Sequence, residues 1–299
     1  MIDFVAVGSI VIDDIVDPYG RSSMGMLGGG GSHAVAGMRV WSENTALVSV
    51  IGQGFPDTAW QQLQHLADTH GVSRRTMAQP RAWQLFETDG TRHDVFRTDF
   101  STFLTTTVQP EEFPPDFAAA RGIYLQTATP AQAQAWLTRL KALNPEAVLL
   151  WEPWEVFYKP EHLAGFKEVA PHFDIVSPNS TETAWMIGET EPHKQAQMLF
   201  ECGVRCVALR LGAAGSLVGT AAALEQIPAA PAEVVDETGA GNCYCGGFLV
   251  GYVESGGDPL VAGRYGAVSA TFALAQPGLA RLGSDTKDEA IKRLVQLSR

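Results

Sequence analysis

Apolar runs rich in β-branched residues alternate along the chain with stretches of helical period, the pattern of a mainly parallel sheet flanked by helices on both faces. Strands are predicted over residues 2–10, 45–51, 121–127, 147–151, 173–177, 205–211 and 215–219. Helices are predicted over 32–42, 56–70, 130–143, 181–188, 193–202, 241–254, 259–275 and 286–298, several opened by Pro or Asp and closed by Gly. Segments 10–28 and 81–107 break this rhythm. They alternate polar with apolar residues and carry turn pairs such as Asp89-Gly90, as short antiparallel strands do, and so predict a small β lid. The class is α/β, and 299 residues with 45% hydrophobic content are enough for one large domain over 1–299. Ligands of open parallel sheets bind beyond the carboxyl ends of the strands, so the loops after residues 10, 27, 127, 151, 177, 211 and 235 are expected to converge on one cleft.

Charge narrows the partners. A net charge of −12, from 33 acidic and 21 basic residues, argues against a nucleic-acid surface. No apolar stretch approaches the ~20 residues of a spanning helix, and the N-terminus opens as a strand without the basic and apolar regions of a secretory signal. No membrane partner and a cytoplasmic location are therefore expected. The four cysteines, Cys202, Cys206, Cys243 and Cys245, lack C-x-x-C spacing and read as buried thiols.

Chemistry concentrates in Val235-Asp236-Glu237-Thr238-Gly239-Ala240-Gly241-Asn242, at the start of the helix predicted over 241–254. Gly239, Ala240 and Gly241 let the backbone approach a ligand closely, and their N–H groups, with the positive end of the helix, suit phosphate oxygens or a developing oxyanion. Asn242 sits at the same mouth. A plain strand-to-helix connection would use such glycines equally well, so the rest of the chain decides.

A series of landmarks runs in order: Gly8-Ser9-Ile10-Val11-Ile12-Asp13; Gly28-Gly29-Gly30-Gly31-Ser32-His33-Ala34-Val35-Ala36; Val50-Ile51-Gly52-Gln53-Gly54 with Asp57; Pro178-Asn179-Ser180-Thr181-Glu182; Leu211-Gly212-Ala213-Ala214-Gly215; and the D-x-T-G-A-G run. Over nearly the whole chain this order resembles the ribokinase-like (PfkB) family of carbohydrate and nucleoside kinases. The resemblance implies ATP-dependent phosphorylation of a hydroxyl of a sugar, nucleoside or related polyol, with Mg2+. Gly239, Ala240 and Gly241 would form the anion hole. Asp13, Gly29, Gly30, His33, Arg97 and Glu152 would face the acceptor, and Asn179, Arg210, Gly212, Gly215 and Thr238 the nucleotide. Glu182 would hold magnesium through water, and Asp236 would help place a monovalent cation, K+, through neighbouring carbonyls. A homodimer through the lid is a further implication. Read without the resemblance, Glu182 is an acidic residue favoured near a helix start and Asp13 a turn residue beside Asp14.

One departure falls on the position of the family's catalytic Asp, where this chain has Asn242. An amide can hydrogen-bond a hydroxyl but cannot take its proton. Three readings follow: an Asp-to-Asn variant that traps a complex, a lineage built around Asn, or a non-catalytic binding or regulatory protein on the same fold. His33 and Glu152 also stand where many relatives have Asn and Asp. A histidine there can act as a replacement base, donate to a substrate hydroxyl or cap the turn. Arg92 and Arg97 in the lid are candidates to close over substrate, and Trp151 and Trp154 either stack on a substrate ring or pack in the core. A dinucleotide-dependent oxidoreductase is excluded because Gly28–Gly31 lacks the spaced G-x-G-x-x-G.

Overall fold

The computed structural model of the chain describes residues 1–89, 91–99 and 107–297. In chain order the strands are β1 (Phe4–Val7), β2 (Val11–Val16), β3 (Ser22–Gly28), β4 (Thr45–Gln53), β5 (Val72–Ala78), β6 (Arg81–Phe86), β7 (Arg92–Phe96), β8 (Gly122–Thr127), β9 (Val148–Pro153), β10 (Ile175–Val176), β11 (Val207–Arg210), β12 (Ser216–Thr220) and β13 (Ala223–Ile227). The helices are α1 (Gly30–Arg39), α2 (Asp57–Leu66), α3 (Pro130–Leu143), α4 (Leu163–Val169), α5 (Ser180–Ile187), α6 (Pro192–Glu201), α7 (Ala240–Glu254), α8 (Pro259–Leu274) and α9 (Thr286–Leu297).

Among the described residues, nine strands form one sheet in the order β13-β12-β11-β10-β9-β8-β1-β4-β5. It is parallel from β11 to β5 and antiparallel only at the β11-β12-β13 edge. Its central strands are apolar on both faces because helices cover both. Alternate residues divide between two core layers. Phe4, Ala6, Leu47, Tyr124 and Leu150 pack toward α1, α7 and α8, while Val5, Val7, Val48, Leu125 and Trp151 pack toward α3, α4 and α6. Helix starts follow their sequence signals: Thr129 accepts from the Gln132 N–H ahead of α3, and Asp258 from the Leu260 and Val261 N–H groups ahead of α8, each with Pro next in line.

The lid segments form a separate four-stranded sheet, β3-β2-β6-β7. The antiparallel pairs β2–β3 and β6–β7 join through a parallel β2–β6 pairing. Gly90 of the expected Asp89-Gly90 turn and residues 100–106 lie outside the described residues. The strand expected over 2–10 ends at Val7, and the chain then leaves the large sheet for the lid at Val11. The helix expected over 56–70 stops at Leu66, where Ala67 turns extended and Asp68 bridges to Ala46. Strands β5 and β13 and the short α4 were not expected. Both strands are sheet edges with mostly solvated side chains, which read locally as loop.

Neighbouring residues of β2 point to opposite faces of the lid. Asp14, fully buried, accepts from Arg81 Nη2 at 2.8 Å, from Arg97 Nη1 and from the Gly25 N–H. Those hydrogen bonds hold its carboxyl below the usual range against the cost of burial. Asp14→Ala should leave both guanidinium groups without their shared anion. Because both arginines are partly exposed, the expected loss is about 1–3 kcal/mol, read as a lower urea midpoint, with Arg97→Ala costing less because Arg81 still neutralises Asp14.

Candidate active site

A cleft of about 950 Å³ opens at the carboxyl ends of the parallel strands and runs under the lid sheet. It is lined by Gln126 of β8, by the segments after β1, β9, β10 and β11, by the turn into α7 and by the lid's inner face, so the loops after residues 10, 27, 151, 177, 211 and 235 converge there and the loop after 127 does not.

The turn into α7 is held from three sides. Gly239 has φ 75°, a backbone conformation that L side chains rarely adopt, and a Cβ there would overlap the His33 imidazole. Asp236 braces the turn from behind, its carboxylate accepting from the Thr238 N–H at 3.0 Å, the Thr238 hydroxyl at 2.8 Å and the Gly278 N–H at 3.2 Å. In front, the Arg210 guanidinium fills the space that a side chain at Gly241 would take. The result is a cradle of backbone N–H groups at a helix start with a cation above it. His33 lies buried on the cleft wall with neither ring nitrogen hydrogen-bonded, and burial pushes it down to about 4, so it is a neutral imidazole at neutral pH.

At the centre sits Glu152. Strand parity aims Trp151 into the α3–α4 layer, where it stacks on Phe166 and Phe173, and turns Glu152 toward α7. Trp151 is thus a core residue and does not line the cleft, the second of the two readings its sequence left open. Glu152 Oε1 pairs with Arg210 Nη1 at 2.7 Å; Oε2 accepts from the Tyr124 hydroxyl at 2.6 Å and from Asn242 Nδ2 at 3.0 Å. Burial and the neighbouring Glu152 charge push the Tyr124 hydroxyl well above its ordinary range, keeping it a donor. Tyr124 carried no motif, and only its place in a predicted strand marked it.

On the lid side, Asp13 lies across Gly28, where a Cβ would overlap its carboxylate, and accepts from Gln84 Nε2 at 3.3 Å. Burial pushes it up to about 7. Gly29, with φ 95°, and Gly30 line the wall beside it. Phe96 and Trp154 meet edge to face, 6.2 Å between centroids, and line the cleft with Phe86, Arg92 and Asp94. Arg97 corrects an expectation: held by Asp14 and over the Trp83 ring, it belongs to the lid's outer face and does not line the cleft.

At the other end, Asn179 caps α5, its Oδ1 accepting from the Thr181 N–H at 2.8 Å and from the Glu182 N–H at 3.4 Å. That oxygen is spent on the helix, so Asn179 orients Glu182 and does not offer itself to an ion. Burial pushes Glu182 up to about 7 on the cleft wall. The described residues contain no cluster of three metal-ligating side chains. A lone, charge-starved carboxylate beside an anion cradle fits magnesium, which is commonly held by one carboxylate, waters and phosphate oxygens. Gly212 and Gly215 line the nucleotide end of the cleft at the β11–β12 turn, both at positive φ.

The fold and cleft define an α/β protein with a braced glycine turn at a helix start, opening on a cleft beneath a small β sheet. The pfkB family carbohydrate kinase profile matches residues 1–287, and the chain belongs to that family. It is 27% identical over 265 residues to the cytidine kinase of Thermococcus kodakarensis, covering 87% of this chain and 91% of that one. Its fold matches ribokinase from Giardia lamblia with a TM-score of 0.78 at 16% identity, covering 99% of this chain and 100% of that one. A nucleoside kinase of the ribokinase family from Methanocaldococcus jannaschii matches with a TM-score of 0.73 at 21% identity over 99% of each chain. No helix among the described residues is long and apolar enough to cross a membrane.

The raised Asp13 has a stability consequence. Its folded carboxyl holds a proton up to about 7 whereas the unfolded one releases it near 3.9, so its contribution is present below about pH 4 and is lost as pH rises through 7. Asp13→Asn removes the charge that burial penalises. Its Tm relative to the original chain should rise between about pH 4 and about pH 8, by up to a few kcal/mol of stability. A difference that stays flat over that range would mean that Asp13 ionises normally.

Proposed function

We propose that the chain transfers the γ-phosphoryl group of ATP, with magnesium, to a hydroxyl of a small acceptor, a sugar, nucleoside or related polyol. The observation that carries this reading is that the braced turn Gly239–Gly241, with Arg210 over it, opens on the same cleft as Glu182 at one end and Asp13 at the other. Phosphates seated on the backbone N–H groups of the turn and on Arg210 would lie between a magnesium carboxylate and an acceptor pocket, the arrangement that phosphoryl transfer by positioning and charge stabilisation requires. Magnesium, held through water at Glu182, supplies charge neutralisation to the phosphates. A monovalent cation would use backbone carbonyls ordered by Asp236. Calorimetry should show ATP and ADP binding that depends on magnesium. Gly239→Val, which puts a branched side chain at a positive φ and into the His33 ring, should abolish that binding in protein that remains folded by circular dichroism. Unchanged affinity would place the phosphate seat elsewhere.

Within this class, the acceptor pocket favours a nucleoside. The Phe96 and Trp154 rings offer aromatic surface to a base, while Asp13 and Gln84 offer polar atoms to ribose hydroxyls. Phe96→Ala should raise KM for nucleosides by about 3- to 10-fold, the worth of an aromatic pair, and leave pentose KM unchanged. Equal effects on both acceptor classes would remove the nucleoside assignment. A non-catalytic binding protein is the second reading, favoured by the amide at Asn242; it is upheld if ligands raise Tm and no acceptor is phosphorylated.

A further inference from the structure

Where an acceptor hydroxyl would meet the γ-phosphate, the turn into α7 presents an amide, and an amide oxygen can accept a hydrogen bond but cannot keep the proton. Asn242 Nδ2 is already committed, donating to Glu152 Oε2 at 3.0 Å and lying 3.3 Å from the Tyr124 hydroxyl oxygen. Its Oδ1 is then the atom left for a substrate hydroxyl, with a carboxylate directly behind the same side chain. Two other candidate bases lie apart from this contact: Asp13 belongs to the lid sheet across Gly28, and His33 packs on Gly239. Charge completes the picture, because Arg210 bridges Glu152 Oε1 and the space over Gly241. A phosphate on the turn competes for that guanidinium and releases Oε1.

Resting on the kinase reading, we propose that Glu152 is the general base of this protein, with Asn242 orienting the acceptor hydroxyl and Arg210 neutralising the transferred phosphate. The hydroxyl oxygen forms its bond to the γ-phosphorus while the bond from that phosphorus to the β–γ bridging oxygen breaks. The bridging oxygen leaves with the electron pair as part of ADP; the hydroxyl turns its one proton from Asn242 Oδ1 to Glu152 Oε1, the oxygen freed when the phosphate takes Arg210, and Glu152 later gives it to water. The charged and titratable groups that face Glu152 come from every element around it: Arg210 from β11, Tyr124 from β8, Cys245 from α7, Glu182 from α5 and Tyr158 from the segment after β9, with the Asn242 amide beside them. Reading Asn242 as a lost base misses this, since the carboxylate is displaced by one hydrogen bond onto the neighbouring strand.

The test uses the full chain, ATP with magnesium, and a panel of cytidine, other nucleosides and pentoses. In Glu152→Gln, kcat should fall by about 10²–10⁴-fold with ATP affinity kept within a few fold, and the acid limb of the kcat profile should vanish. The double variant Glu152→Gln with Asn242→Asp returns a carboxylate to the same cluster. It should recover at least about tenfold over Glu152→Gln and restore the acid limb. Asn242→Asp alone sets two carboxylates one hydrogen bond apart. They cannot both ionise readily, so kcat should not rise and the acid limb should move to higher pH. The inference is overturned if Glu152→Gln retains kcat, if Asn242→Asp alone raises it about 10²-fold, or if the double variant folds and binds ATP yet stays as slow as Glu152→Gln, which would leave Glu152 a purely structural partner of Arg210. If the original chain binds ATP and phosphorylates no acceptor, the kinase reading itself falls, and this inference with it.

Discussion

The cleft depends on a seam where helices meet backbone to backbone. A Cβ on Gly37 of α1 would overlap the Cys243 carbonyl of α7, and one on Gly246 of α7 would overlap the Ala34 carbonyl of α1. On its other side α7 meets α8 with glycines under side chains, Gly247 against the Ser269 hydroxyl and Gly266 against the Tyr244 ring. Interiors are close-packed, so a single methyl group at such a contact must separate the helices. These helices carry the two walls of the site: α1 begins at Gly30 and carries His33 in its first turn, while α7 begins at the anion seat. The spacing of the two cleft walls is therefore set by glycines within about a turn of His33 and Asn242.

Inside that frame the protein holds charge at a cost. Asp13 and Glu182 are both destabilised as anions by burial, and His33 is destabilised as a cation, with no partner for either ring nitrogen. None of these groups helps the unliganded fold. Their arrangement makes sense as preorganisation, since each is relieved by something a ligand would bring, whether a cation for Glu182 or hydroxyls for Asp13 and His33. Asp14 is the contrast one residue away: equally buried, it is fully satisfied by two arginines and a backbone N–H, and it serves the lid. Two adjacent aspartates on one strand thus divide between the cleft and the lid's ion pairs by parity alone.

That parity explains what the sequence made legible. The anion turn could be read because a short run of small residues before a helix fixes its backbone locally. The central strands could be read because burial on both faces leaves an unbroken apolar run, as in Phe4–Val7 and Thr45–Gln53. Arg97 was misplaced, and Trp151 left open between core and cleft, because composition says nothing about which face a strand residue takes until its register is known. Edge strands β5 and β13 were invisible for a related reason: with little to bury, they lack the apolar signature. Glu152 and Asn242 are ninety positions apart, and no local pattern joins them. Their contact exists only because β9 and α7 end at the same mouth.

The same contact changes what an amide at the helix start means. A buried carboxylate beside a second carboxylate would need a proton or a strong counter-charge. With Glu152 on β9 already neutralised by Arg210, an aspartate at 242 would bring a second negative charge into a cluster balanced for one. An asparagine donates to Glu152 and adds no charge, so the two positions form one electrostatic unit and neither residue can be interpreted without the other. Phosphoryl transfer tolerates such rearrangement more readily than chemistry that demands a strong base. Most of its acceleration comes from aligning the hydroxyl and stabilising phosphate charge, and on the proposed reading the turn at Gly239–Gly241, Arg210 and the Glu182 carboxylate would provide for these wherever the base is anchored.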